Sequence, residues 1–136
     1  MKNREVFIDT GAYLSRFHIR DGKHDLSREI WQKLRDDNRI LITSNHVLDE
    51  LATLLGRRTN FEFAARKLKQ IYEADIQIER TDEKDELKAL KFIQKYADQN
   101  ISFTDCLSFV IMQRLKIKQV FSFDKHFEFS GFELVV

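Results

Sequence analysis

Four short apolar runs, at residues 6–8, 40–43, 76–78 and 120–123, are spaced along the chain with longer stretches of helical periodicity between them. Strand-sized runs alternating with helix-sized ones are the pattern of a parallel sheet covered by helices, so the chain reads as α/β. Residues 132–136 read as a last edge strand. In residues 26–35, Leu26, Ile30 and Leu34 stand at helical spacing, with Asp25 before them as an N-cap. Residues 44–58 carry Val47, Leu48, Leu51, Leu54 and Leu55 on one face and Gly56 near the helix end. Two further amphipathic helices are expected at 60–74 and 83–97, and residues 105–116 are apolar almost all round, as in a central buried helix.

No repeat, linker or low-complexity segment divides the 136 residues, so residues 1–136 are expected to form one domain, long enough to bury a core without disulfides or a structural metal. With 12 Phe, no Pro and only 4 Gly, collagen-like, linker-rich and disordered classes are excluded. A net charge of +1 gives no global attraction to nucleic acid, so any such contact must be local. The single cysteine, Cys106, has apolar neighbours and reads as a core residue, and no Cys/His spacing suggests zinc. No apolar stretch approaches the roughly 18 residues of a membrane span, and the charged start of the chain lacks a signal-like apolar region. A cytoplasmic protein with no membrane contact is expected.

The chemistry lies in four carboxylates. In open parallel α/β sheets the active site lies outside the carboxyl ends of the strands. Asp9 and Asp124 each follow an apolar strand-like run, and Asp105 begins the buried helix. At 100° per residue along 44–58, Glu50 lies about 40° beyond Leu54, just off the apolar arc, whereas Asp49 falls on the solvent side. Four acids at one sheet edge raise one another's pKa unless a cation joins them. An oxygen-rich site of this kind suits Mg²⁺ or Mn²⁺, and such sites hydrolyse phosphodiesters.

Each residue also has a plainer reading. Asp9 is placed to cap the helix beginning near Ala12, and Ser102 with Asp105 has the spacing of a capping box. Glu50 alone reads as a solvated helix acid and Asp124 alone as a turn residue. His46 reads as an exposed helix histidine, and His126 stands near the site without a further signal. The acidic cluster 82–86 reads as a solvated first helical turn, with Asp82 and Glu83 near the positive end of the helix dipole. Arg57, Arg58, Arg66, Lys67 and Lys69 form the one local basic excess, either a track for an RNA backbone or a solvated helix pair. Phe61, Phe63, Leu68 and Ile71 read as core, dimer interface or partner groove.

Taken in order, FIDTGAYLSRF with Asp9, VLDELATLL with Glu50, FTDCLSFVIMQRL with Asp105 and VFSFDKHF with Asp124 resemble the motifs of PIN-domain ribonucleases, of the short VapC-type found in toxin–antitoxin pairs. The resemblance implies a three-layer α/β/α sandwich with a central, mostly parallel sheet. It implies an Mg²⁺- or Mn²⁺-dependent endoribonuclease acting on an RNA substrate, a homodimer, and inhibition by a small antitoxin. Asp9, Glu50, Asp105 and Asp124 then form the catalytic, metal-binding set, with Asp9 and Asp105 as the direct ligands and Thr10 and Thr104 as supporting hydroxyls. Gly11 stands where the family often has a second polar residue. It also stands where an aspartyl-phosphate-forming phosphatase would need a second acid. An inactive PIN-like RNA- or protein-binding module is the competing reading.

Overall fold

The computed structural model describes residues 4–135, so Val136 of the expected edge strand lies outside the described residues. The elements run β1 (Glu5–Ile8), α1 (Thr10–Phe17), α2 (His24–Asp36), β2 (Ile40–Ser44), α3 (Asn45–Arg58), α4 (Phe61–Glu73), β3 (Ile76–Glu79), α5 (Glu83–Lys95), a 3₁₀ turn (Ala97–Gln99), α6 (Phe103–Leu115), β4 (Gln119–Phe121), α7 (His126–Phe129) and β5 (Glu133–Leu134). The five strands form one sheet in the order β3-β2-β1-β4-β5, every pair of neighbours parallel. Helices on both faces make it the expected three-layer α/β/α sandwich. No described helix is long and apolar enough to cross a membrane.

β1 is the central strand, and Val6, Phe7 and Ile8 are fully buried. β2 and β3 build outward from one side of it, after which the chain crosses back to lay β4 on the other. The carboxyl ends of β1 and β4 therefore form the topological switch point of the sheet, where an open α/β fold leaves a crevice between diverging connections. The Asp9 amide donates to the Phe121 carbonyl at 3.1 Å, so the two strands stay paired up to the rim of that crevice.

Helix starts and ends differ from the sequence reading for identifiable reasons. Asp25 is not the N-cap of α2: the helix begins at His24, where the imidazole Nδ1 donates to the Ser15 carbonyl and ties α2 to α1. Asp25 instead lies in the first turn. Gly56 does not terminate α3 but lies inside it. A Cβ there would sit 2.2 Å from Phe61 Cδ1, so the bare backbone lets the first residue of α4 close against α3. β4 stops at Phe121, because Ser122 turns into hydrogen bonds at the crevice rather than continuing the ladder.

Two polar groups read as solvated are not. Asp85 is buried, closing a reciprocal capping box with Asp82 and accepting from Arg114 Nη2 at 3.2 Å, so α5 is clamped to α6. His46 is half-buried, its Nε2 2.6 Å from Thr81 Oγ1. Phe61 is exposed, Phe63 and Leu68 pack partly against the core, and Ile71 is buried.

α6 is the apolar axis foreseen in the sequence, with Asp105 through Met112 all buried. Phe109 on this helix meets Phe92 of α5 and Phe127 of α7 edge-on and stacks with Phe132. That cluster seats α7, a four-residue helix that periodicity alone could not reveal. Phe109→Ala is expected to cost about 3–5 kcal/mol of stability, as cavities left by buried aromatics do, measured by urea denaturation.

Candidate active site

The switch point opens as a cleft of about 510 Å³ whose walls carry Asp9, Thr10, Gly11 and Leu14 from the start of α1, and Glu50 and Leu54 from α3. Ser102 and Asp105 come from the start of α6, and Phe123, Asp124 and Lys125 from the β4–α7 turn. All four sequence-predicted acids thus share one cleft. Lys125 was not singled out in the sequence, nor was Ser102 as part of the lining.

Asp9 occupies the N-cap position of α1, yet its carboxylate makes no side-chain cap bond. Oδ2 instead accepts from Ser122 Oγ at 2.7 Å, and Oδ1 is buried with no hydrogen-bond partner. The same Ser122 oxygen accepts from the Asp124 amide at 3.0 Å, so one hydroxyl joins the ends of β1 and β4. Burial pushes the Asp9 pKa up to about 6; the Ser122 hydroxyl and the Thr10 amide oppose this, and the charges of Glu50 and Asp124 add to it. A serine inside the apolar run VFSF was the one sequence signal for this residue.

Asp105 is also buried. Ser102 Oγ accepts from its amide at 3.0 Å, but only this half of a capping box forms, so the carboxylate is free to face the cleft. Burial, then the charges of Asp9 and Asp124, push its pKa up to about 8. Asp124 begins an Asx turn in which Oδ1 accepts from the His126 amide at 2.9 Å. His126 Nδ1 lies 3.0 Å from that same oxygen and 3.6 Å from Asp105 Oδ2. Asp105, Asp124 and His126 thereby form a group whose ligand atoms lie within 4.8 Å of one another. Asp9 and Glu50 share the cleft but stand outside that group. Sequence reasoning had left His126 without a role.

Thr10 is buried with an unpartnered hydroxyl on the cleft. Thr104 is not among the lining residues, and its carbonyl accepts from Ser108. Arg57 and Arg58 are exposed at the far end of α3, away from the lining, and Arg58 lies 3.9 Å from Asp21. Asp49 is exposed, and Cys106 is buried, its thiol pushed up to about 11 by burial, which suits a core residue rather than a nucleophile.

Crowded acids, a buried orphan oxygen on Asp9 and an orphan hydroxyl on Thr10 leave several oxygen donors without partners at one place. This donor set fits a hard divalent cation. In its absence the raised pKa values have a definite sign for stability. Both acids hold protons in the folded chain that the unfolded chain has released, so stability falls as pH rises from about 4 through 6 to 8. Urea denaturation in chelator should show that decline. Asp105→Asn should flatten it and be more stable than the wild type at pH 8. Ser122→Ala, which strips Asp9 of its hydroxyl donor, should cost about 1–3 kcal/mol in the same assay.

The family model described as PIN domain matches residues 6–130. The 23S rRNA-specific endonuclease VapC20 of Mycobacterium tuberculosis is 27% identical over 127 residues, covering 93% of this chain and 95% of that protein. A VapC ribonuclease of Archaeoglobus fulgidus is 30% identical over 126 residues, covering 90% of this chain and 78% of its own. The crystal structure of Mycobacterium tuberculosis VapC20, described as a sarcin–ricin loop cleaving toxin, superposes with a TM-score of 0.84 at 25% identity, over 94% of this chain and 96% of that one.

Proposed function

Because the chain belongs to the PIN-domain family, we infer that it is an endoribonuclease that hydrolyses RNA phosphodiesters, and the toxin of a toxin–antitoxin pair. The observation that carries this reading is the convergence of Asp9, Glu50, Asp105 and Asp124 on the cleft at the β1–β4 switch point. Acids from four separate stretches of chain, two of them with strongly raised pKa values, form an arrangement that costs stability and that the packing of the core does not need.

In this reading Asp9, Asp105, Asp124 and Glu50 hold Mg²⁺ or Mn²⁺ between them. Bound there, the cation supplies Lewis acidity at the scissile phosphate and lowers the pKa of an attacking water. The protein's own groups do the rest. Ser122 fixes the Asp9 carboxylate against the end of β4, and the Ser102 cap fixes the first turn of α6 beneath Asp105. Lys125 offers positive charge to the RNA backbone at the cleft, and Arg57 and Arg58 offer a separate basic pair at the far end of α3. A cation held there would favour the ionised carboxylates of Asp105 and Asp9 against the burial that raises their pKa values. The toxin acts in the cytoplasm as a homodimer and is held inactive by a small antitoxin.

The test is cleavage of labelled RNA, beginning with 23S rRNA because a relative is named for it. Wild type with Mg²⁺ or Mn²⁺ should cut, and chelator should stop it. Asp9→Asn and Asp105→Asn should each lose about a hundredfold or more in rate, since several kcal/mol of transition-state stabilisation depend on the cation they hold. Equal cleavage by wild type and both variants, or none by any against a broad RNA mixture, would leave a non-catalytic RNA- or protein-binding module.

A further inference from the structure

The acid set leaves one group without a task, beside the cleft rather than in its lining. His126 Nδ1 is shielded from solvent and has no hydrogen-bond partner, although two carboxylate oxygens lie 3.0 and 3.6 Å away. Three ligand-type atoms, from Asp105, Asp124 and His126, thus lie within 4.8 Å of one another with no hydrogen bond between Nδ1 and either carboxylate, an arrangement that one shared cation would satisfy.

The imidazole is also held in place. The His126 backbone amide donates to Asp124 Oδ1 at 2.9 Å, which seats the first residue of α7 on the Asp124 turn. Its ring packs edge-to-face on Phe129, with centroids 5.4 Å apart at 70°. Around an octahedral ion with ligands at about 2.1 Å, adjacent donor atoms lie about 3 Å apart. The Asp124–His126 spacing of 3.0 Å meets that edge, and the 3.6 Å to Asp105 is within a small side-chain adjustment of it.

We propose that His126 Nδ1 is a direct nitrogen ligand of the active-site cation beside Asp105 and Asp124, and that this donor makes the site prefer Mn²⁺ to Mg²⁺. The proposal rests on the cation-dependent reading above. Its selectivity follows from ligand chemistry: Mg²⁺ demands oxygen donors in near-ideal octahedral geometry and gives up its waters reluctantly, so replacing one of them by an imidazole nitrogen disfavours Mg²⁺ more than the larger Mn²⁺.

The test uses the purified protein with Mn²⁺ alone and needs no RNA. Pulsed EPR of the bound Mn²⁺ should show ¹⁴N coupling in the wild type. ¹⁵N coupling should replace it in protein labelled with ¹⁵N-histidine, and neither should appear in His126→Ala. Mn²⁺ affinity should fall about tenfold or more in His126→Ala, with a smaller change for Mg²⁺. The labelled wild type keeps the test decisive even if that variant folds poorly, because among the described residues His126 is the histidine grouped with the acids. Mn²⁺ that binds without nitrogen coupling would overturn the proposal while leaving the carboxylate site standing. Coupling that survives in His126→Ala would overturn it too, and a wild type that binds no Mn²⁺ would remove the cation-dependent reading with it.

Discussion

Everything at the cleft depends on how β1 and β4 end side by side. The Asp9 amide bonds the Phe121 carbonyl, the Ser122 hydroxyl bonds the Asp9 carboxylate, and the Asp124 amide bonds that same hydroxyl. Three hydrogen bonds thus lock the two strand ends in register across the switch point. The acids of this rim inherit the rigidity of a fully buried sheet centre, where Val6, Phe7, Ile8, Val120 and Phe121 leave no room to slip.

The helices supply the complementary constraint. α6 enters the core directly behind Asp105, so the carboxylate cannot retreat into solvent without dragging a buried helix. α3 brings Glu50 to the opposite wall by rotation alone, one step outside its apolar stripe. α5 holds α6 through the Arg114–Asp85 contact, and Phe109 holds α7 through Phe127. The repulsion gathered in the cleft is therefore borne by packing spread over the whole molecule, which is how a fold keeps ionisable groups away from their ordinary pKa values.

Much of this was legible in the residues, and the gaps have physical reasons. Strand positions and the α3 and α6 helices followed from periodicity, because burial selects side chains at fixed intervals. Glu50 was separable from Asp49 by angle alone. The start of α2 was misplaced because a long-range bond from His24 to Ser15, not a local cap, sets it. Gly56 looked like a terminator because its use, a close approach by Phe61, exists only in three dimensions. Asp85 and His46 looked solvated because their partners Arg114 and Thr81 lie far along the chain. Ser122 and His126 were missed for a related reason: a hydroxyl or an imidazole acquires meaning only from the carboxylates that the fold brings to it.

The Asp9–Ser122 bond joins residues 113 positions apart. A nascent chain that has not yet threaded β4 through the exit tunnel has Asp9 and Glu50 but neither the partner strand nor the Asp124 turn, and so has no cleft. Closing a loop of that length costs chain entropy before the contact stabilises anything. The cleft thus comes into being only when β4 has docked beside β1, so its acids owe their meeting to the strand order and not to any local segment of chain.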